Sequence, residues 1–194
     1  HEVKQKLGID PVYFHASYLI NLANNSHGGR ASVSTLIHEL NLASQLDVVG
    51  SIIHLGSFSN GDYDTLITNI KAVLKTTPEN TQFIIENAGT RKIGQTLDEI
   101  YSIVKDVGSD RIRVCLDTCH LHAAGYDLST QQSFERFFTE FDEKIGIENI
   151  AVVHVNDSRD PFGSNRDRHE NIGQGKIPDE VFRLLVNHPD TKDF

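Results

Sequence analysis

The chain has 194 residues, 38% of them hydrophobic and 23% charged, and its formal net charge at pH 7 is −9. This composition is typical of a folded globular protein and excludes an intrinsically disordered chain. The acidic balance argues against a protein that binds nucleic acid through a broad basic surface, although bound metal ions can also supply positive charge. The length predicts a single domain over residues 1–194.

The sequence also bears on location. It contains no apolar run near the roughly 18 residues that a membrane span needs, and it shows no charged-then-apolar leader. We therefore expect a cytoplasmic protein without membrane contact. The first residue is His1 rather than Met, which indicates a segment of a longer chain.

The chain has two cysteines, Cys115 and Cys119. Their spacing is too short to define a disulfide framework, and we interpret them as reduced thiols. A CxxxC zinc pair is the alternative.

Short apolar runs alternate with segments of helical periodicity along the chain. Residues 1–10 are interpreted as the end of an earlier helix. The predicted strands then cover residues 12–16, 49–55, 82–87, 111–117 and 150–155. The predicted helices cover residues 31–46, 62–76, 96–107 and 130–145, and a last one starts at about Pro178. Thr96 followed by Glu99 is typical of a capping box at a helix start.

Alternation of this kind predicts an α/β fold with parallel strands and right-handed crossovers. The strands are nearly continuous apolar runs, as expected when both faces of a sheet are covered. A doubly wound sheet and a (β/α)₈ barrel both fit this pattern.

Each of the five apolar runs ends with a potential metal ligand. These residues are His15, His54, Glu86, Asp117 and His154. A single buried histidine is more often a satisfied core residue, but five polar groups in successive strands would be costly to bury without partners. The C-terminal ends of parallel barrel strands meet at one mouth. The pattern therefore predicts a metal site there.

Three further residues extend this set. His120 lies one turn after Asp117, and Asp167 and His169 are two residues apart in the long charged stretch 156–176. In an extended segment that spacing places both side chains on the same side. A loop of this length is unusual in a compact domain unless it is functional. Histidine and carboxylate together suit zinc or manganese, and eight ligands imply more than one ion.

Four motifs resemble the endonuclease IV family of apurinic/apyrimidinic endonucleases. They are HASYLINLA (15–23), IIHLGS (52–57), VCLDTCHLHAAGYDL (114–128) and VHVNDSRDPFGSNRDRHENIGQGKI (153–177). The resemblance extends from about residue 12 to the end of the chain. It implies a (β/α)₈ TIM barrel, present here as about five central βα units, with about two N-terminal strands and the last strand missing.

The resemblance also assigns roles to residues. His15, His54 and Glu86 would hold a first zinc ion, and Glu86 would bridge to a second. Asp117 and His154 would complete the second ion, which in the family takes a further glutamate from the absent last strand. His120, Asp167 and His169 would hold a third, giving about three zinc ions per intact protein, with manganese as an alternative.

Tyr18 and Leu19 match residues that the family inserts into DNA at the lesion; packing on the barrel rim is the alternative. The stretch ENAGTRKIG after Ile85 departs from the family's usual ENTAGQG, so its contribution to DNA contact is open.

The implied function is base excision repair of double-stranded DNA. The enzyme would hydrolyse the phosphodiester 5′ to an abasic site and clear blocked 3′ ends, with Glu86 orienting the attacking water, and would be a monomer when complete. Two alternatives are a sugar isomerase or epimerase of the xylose-isomerase type and a non-catalytic remnant. We expect little or no incision from the segment alone.

Overall fold

The computed structural model describes residues 2–189 and residue 191. Within these residues the strands are β1 (Phe14–His15), β2 (Gly50–Ile53), β3 (Gln82–Glu86), β4 (Ile112–Asp117), β5 (Ile150–His154), β6 (Asp157–Ser158) and β7 (His169–Glu170). The helices are α1 (Glu2–Leu7), α2 (His27–Leu46), α3 (Tyr63–Thr76), α4 (Leu97–Val107), α5 (Thr118–Ala124), α6 (Gln131–Lys144) and α7 (Asp179–Asn187). The predicted alternation of strands and helices is confirmed, and α1 confirms the helix expected in the first ten residues. Each predicted strand is one to three residues shorter in the structure.

The chain divides into two compact units, residues 1–85 with 105–113 and residues 86–104 with 114–194. In the first unit β2 pairs in parallel with β1, where His15 faces Ile52, and with β3, where Ile53 faces Ile85. All four residues of β2 are buried. The strand is therefore covered on both faces, which explains its apolar sequence.

Helix α2 begins at His27, four residues earlier than the periodicity predicts. Ser26 is its N-cap, and its hydroxyl oxygen accepts a hydrogen bond from the backbone N–H of Gly28. The early start was not predicted because two glycines occupy the first turn, and glycine disfavours a helix interior. The capping bond compensates for that preference.

In the second unit β4 and β5 pair in parallel, and their last residues, Asp117 and His154, lie side by side in the register. Helix α6 buries four phenylalanines at helical spacing, Phe134, Phe137, Phe138 and Phe141. These rings join the apolar residues of β4 and α7 in one core cluster. That core fixes the ends of both strands.

Helix α5 was not predicted as a separate element. Asp117 caps it, since its Oδ1 atom accepts a hydrogen bond from the backbone N–H of His120 at 3.0 Å. Gly125 ends it in the left-handed region, with φ at 95°. The strand-end aspartate thus starts the helix that carries His120. Pro178 stands just before α7 rather than in its first turn, a shift of the size expected at helix ends.

The long stretch 156–176 contains a small antiparallel hairpin of β6 and β7, in which Ser158 faces His169. It is therefore an ordered loop. Among the residues that the structure describes, no helix has the length and apolar character needed to cross a membrane.

Candidate metal centre

The predicted ligands lie where the sequence places them, at the C-terminal ends of strands. His15, Glu86, Asp117 and His154 are the last residues of β1, β3, β4 and β5. His54 directly follows β2. His15 and His54 belong to the first unit, and the other three residues belong to the second.

In the second unit, three ligand atoms converge at one point. His120 Nε2 lies 3.1 Å from Asp167 Oδ1, and His169 Nε2 lies 3.1 Å from the same oxygen. The two histidine nitrogens are 3.4 Å apart. Ligand atoms around a tetrahedral zinc ion lie about 3.3 Å apart, because each bond is about 2.0 Å long. The triangle of nitrogen and oxygen atoms therefore fits a zinc ion.

His120 is buried, and a contact at the ring nitrogen that does not face Asp167 orients its ring. Its Nδ1 atom lies 2.9 Å from the main-chain carbonyl oxygen of Asn87. Burial alone would lower the pKa of His120, but the hydrogen bond with Asp167 and the charges of Asp117, Asp167 and Glu86 raise it to about 9. The carboxylates thus favour a positive charge at this point, which a proton or a metal cation can supply.

Asp117 is completely buried, and both of its carboxylate oxygens are held. Oδ1 caps α5, and Oδ2 accepts a hydrogen bond of 2.6 Å from the side-chain amide of Asn156. The backbone N–H of Asp117 donates to Asn87 Oδ1 at 2.6 Å. Sequence reasoning missed Asn87 and Asn156, although each lies within two residues of a predicted ligand. Outer partners of this kind orient metal ligands.

Glu86 has its own contacts in the same unit. Its Oε1 atom lies 3.0 Å from His154 Nδ1 and 3.5 Å from His120 Nδ1. The Glu86 side chain is 2% exposed. A buried carboxylate beside two imidazoles is suited to hold a cation or to accept a proton.

In the first unit His15 and His54 lie close together, with ring centroids 5.7 Å apart. His15 Nδ1 is 3.1 Å from the carbonyl oxygen of Ala16. In the tautomer that donates to this carbonyl, Nε2 keeps its lone pair for a ligand bond.

Cys115 and Cys119 are free and buried, in agreement with the interpretation as reduced thiols. Burial raises the pKa of Cys119 to about 11 and that of Cys115 well above its usual value. Among the described residues, Cys115 lies with Glu86 and His154 and Cys119 with Asp117 and His169, but no potential ligand group contains both sulfurs. The CxxxC pair therefore gains no support.

Tyr18 and Leu19 project from a turn after β1, with 77% and 73% of their surface exposed. Neither side chain is packed as the rim-packing alternative requires. Large exposed apolar side chains next to each other are typical of an interaction site.

The altered stretch after Glu86 packs against the centre. Its ends are joined by a hydrogen bond of 3.0 Å from the backbone N–H of Ala88 to the carbonyl oxygen of Gly94. Gly89 approaches His120 so closely that a Cβ atom on it would lie 2.9 Å from His120 Cα. Arg91 and Lys92 are exposed.

Comparisons with known proteins are consistent with these features. Residues 1–191 match the family described as xylose isomerase-like TIM barrel. The chain is 36% identical to the probable endonuclease 4 of Persephonella marina over 193 residues, which are 95% of this chain and 67% of that protein. It is 37% identical to apurinic-apyrimidinic endonuclease 1 of Saccharomyces cerevisiae over 182 residues, which are 89% of this chain and 49% of that protein.

Solved structures agree in fold. Endonuclease IV from Thermus thermophilus matches with a TM-score of 0.87 and 31% identity, covering 99% of this chain and 70% of that one. A D-tagatose 3-epimerase-like protein matches with a TM-score of 0.74 at 24% identity, covering 95% and 68%, and that likeness concerns the fold alone. Of the two predicted architectures, the barrel is therefore the correct one. The chain belongs to the xylose isomerase-like TIM-barrel family and, within it, to the endonuclease IV proteins.

Proposed function

We propose that this protein is a DNA-repair endonuclease that uses zinc to hydrolyse the phosphodiester 5′ to abasic sites and to clear blocked 3′ ends. The relatives named endonuclease 4 and apurinic-apyrimidinic endonuclease support hydrolysis of DNA. The observation that carries the metal dependence is the triangle of His120, Asp167 and His169 ligand atoms, 3.1 to 3.4 Å apart.

In this proposal His120, Asp167 and His169 hold the third ion, and we call their arrangement the third-ion site. Asp117 and His154, with Glu86, hold the second. The assignment of His15 and His54, again with Glu86, to the first ion rests on the family resemblance and stays a prediction. Bound ions of this kind neutralise a phosphate and make water more acidic.

The protein's own residues have separate tasks. Glu86 is a buried carboxylate that can orient a water molecule and accept its proton. Asn87 and Asn156 keep His120 and Asp117 in position. These hydrogen bonds orient the two side chains, and a reaction of this kind depends on positioning.

DNA contact is proposed for two places. Tyr18 and Leu19 are exposed and suited to enter a duplex at a missing base. In the second unit an open depression of about 410 Å³ is lined by Thr90, Asn165, Arg166, Asp167 and Arg168. Arg166, whose side chain is 68% exposed, can pair with a backbone phosphate, whereas Arg168 donates two hydrogen bonds to the carboxylate of Asp160. We further propose that the complete protein acts as a monomer in the cytoplasm.

The test is incision of a labelled duplex that carries one tetrahydrofuran abasic analogue. We expect the full-length protein with zinc to cut 5′ to the analogue and to leave a 3′-hydroxyl that a DNA polymerase extends. His169→Ala should reduce the rate at least about tenfold at limiting zinc, because the third-ion site loses a ligand. His38→Ala, a change of an exposed histidine on α2, is the matched control and should be silent.

A folded, zinc-loaded protein that leaves this duplex uncut would contradict the proposal. Epimerisation of a ketose by that same preparation would favour the sugar-epimerase alternative instead.

A further inference from the structure

The third-ion site depends on a loop. Asp167 and His169 belong to the stretch 156–176, and their side chains are 37% and 44% exposed, whereas that of His120 is 2% exposed. A long surface segment loses considerable conformational entropy when it is ordered. Some contact must therefore hold both ligands at the distance that His120 requires.

Asp157, at the start of this loop, makes that contact. It is completely buried, and its carboxylate accepts four backbone hydrogen bonds. Oδ1 accepts from Ser158 at 2.7 Å and Ile177 at 3.0 Å. Oδ2 accepts from Gly173 at 3.1 Å and Gly175 at 2.8 Å. Three of the four donors lie 16 to 20 residues further along the chain, so the carboxylate joins the two ends of the loop.

The close approach of the backbone to the Asp157 carboxylate depends on a glycine at position 175. A Cβ atom on Gly175 would lie 2.3 Å from Asp157 Oδ1 and 2.4 Å from the carbonyl oxygen of Ser158. Only glycine leaves room for the backbone to reach the carboxylate here. The adjacent residue, Lys176, donates its N–H to the Ser158 carbonyl at 2.7 Å.

The loop that Asp157 closes contains the hairpin of β6 and β7. Asp157 and Ser158 form β6, which pairs with β7 so that Ser158 faces His169. The pairing continues with a hydrogen bond of 3.0 Å from the N–H of Arg159 to the carbonyl oxygen of Arg168. Arg168 stands between Asp167 and His169, so the register of the hairpin determines where both ligands lie.

We propose that Asp157 is a positioning residue for the third-ion site: its carboxylate closes the 156–176 loop and thereby places Asp167 and His169 against His120. This inference rests on the proposed metal-dependent function. The carboxylate of Asp157 binds backbone N–H groups and is not one of the three ligands. Its effect is transmitted through the backbone.

The test compares Asp157→Asn with Asp62→Asn in the full-length protein. The amide keeps the shape of Asp157 but turns an NH₂ group toward backbone donors that need an acceptor. Asp62 is a suitable control because it caps α3 by accepting the N–H of Thr65 at 2.7 Å, in the first unit. Both variants lose a carboxylate–backbone bond, but only one loses the loop closure.

We expect Asp157→Asn to bind about one zinc ion fewer than the wild type at limiting zinc, with affinity for that ion lowered between about 10- and 100-fold. Incision should fall and recover as zinc is raised. In the metal-free protein the amides of Gly173, Gly175 and Ile177 should exchange hydrogen faster, which needs no catalysis. Asp62→Asn should change neither zinc content nor these amides.

Wild-type zinc affinity in Asp157→Asn would overturn the proposal. If Asp157→Asn does not fold, zinc affinity is measured on Gly175→Ala, whose methyl group displaces the same contact. Unchanged zinc affinity in Gly175→Ala would also overturn the proposal. A wild-type protein that binds zinc but cuts no abasic DNA would refute the proposed function while leaving the zinc measurement valid.

Discussion

His120 Nδ1 lies 2.9 Å from the main-chain carbonyl oxygen of Asn87. The ring therefore cannot turn without losing a hydrogen bond, and its other nitrogen faces Asp167 and His169. Contacts of this type fix the tautomer of a metal-ligating histidine. Small displacements of His120 should accordingly change metal binding more than they change folding.

Gly89→Ala should displace His120. The added methyl carbon would lie 2.9 Å from His120 Cα and 3.0 Å from His120 Cδ2. We expect zinc affinity at the third-ion site to fall about tenfold or more, with a folded protein, in a titration against a competing chelator. Gly28→Ala is the control, because the nearest atom to its Cβ is 3.4 Å away. Equal zinc affinities in the two variants would contradict this role of Gly89.

The complete protein should contain about three zinc ions, because the predicted ligands exceed what one tetrahedral ion uses. Treatment with a strong chelator should abolish incision, and added zinc should restore it. Elemental analysis of the folded full-length protein provides the count. One equivalent or fewer would refute this stoichiometry.

Glu86→Gln should abolish incision while leaving most of the DNA affinity intact. The change removes a buried negative charge beside His154 and His120, whereas Tyr18 and Leu19 are unaffected. Turnover and DNA binding can be measured separately, with metal content determined on the same preparation. Glu135→Gln, an exposed change on α6, is the control. Near-normal turnover by Glu86→Gln with its metals in place would argue against the proposed role.

Replacing both Tyr18 and Leu19 with alanine should weaken binding to abasic DNA far more than binding to intact duplex. Side-chain insertion costs a few kcal/mol of unstacking, and a missing base lowers that cost. Binding curves on the two duplexes give the comparison. Val186→Ala, at another exposed apolar residue, should leave both curves unchanged. Equal losses on both duplexes would indicate a contact that does not recognise the lesion.

The carboxylate of Asp157 should make the free energy of unfolding depend on pH. Burial by itself would raise its pKa, but the backbone donors of Ile177, Gly175, Ser158 and Gly173 together hold that pKa below the ordinary value. A depressed carboxyl pKa stabilises the fold above the unfolded pKa, about 3.9, and that contribution is lost as pH falls through the folded pKa. The difference in free energy of unfolding between wild type and Asp157→Asn should thus be constant above about pH 5 and shrink below about pH 4. A pH-independent difference would contradict this.

The sequence predicted what depends on local pattern. The apolar runs show where strands end, and the polar residue near the end of four of them is the last residue of its strand: His15, Glu86, Asp117 and His154. The spacing of Asp167 and His169 predicted two side chains on the same side of the loop. In the structure Asp167 Oδ1 lies 3.1 Å and His169 Nε2 lies 3.4 Å from His120 Nε2.

Other features give too weak a local pattern or depend on contacts between distant residues. Helix α5 is too short for its periodicity to be recognised, and its start depends on an aspartate already interpreted as a ligand. Asp157 gives no local signal, since three of its four donors lie 16 or more residues away. Asn87 and Asn156 resemble ordinary loop residues until the fold brings them to Asp117.

The burial of both cysteines has a practical consequence for chemical labelling. The chain has two cysteines, each with 0% exposure and both in the second unit. A maleimide dye can react with them only when that unit opens, and their raised pKa keeps the reactive thiolate scarce at neutral pH. The rate of labelling at several dye concentrations therefore reports how often the unit holding Asp117 and His120 opens, without an engineered probe.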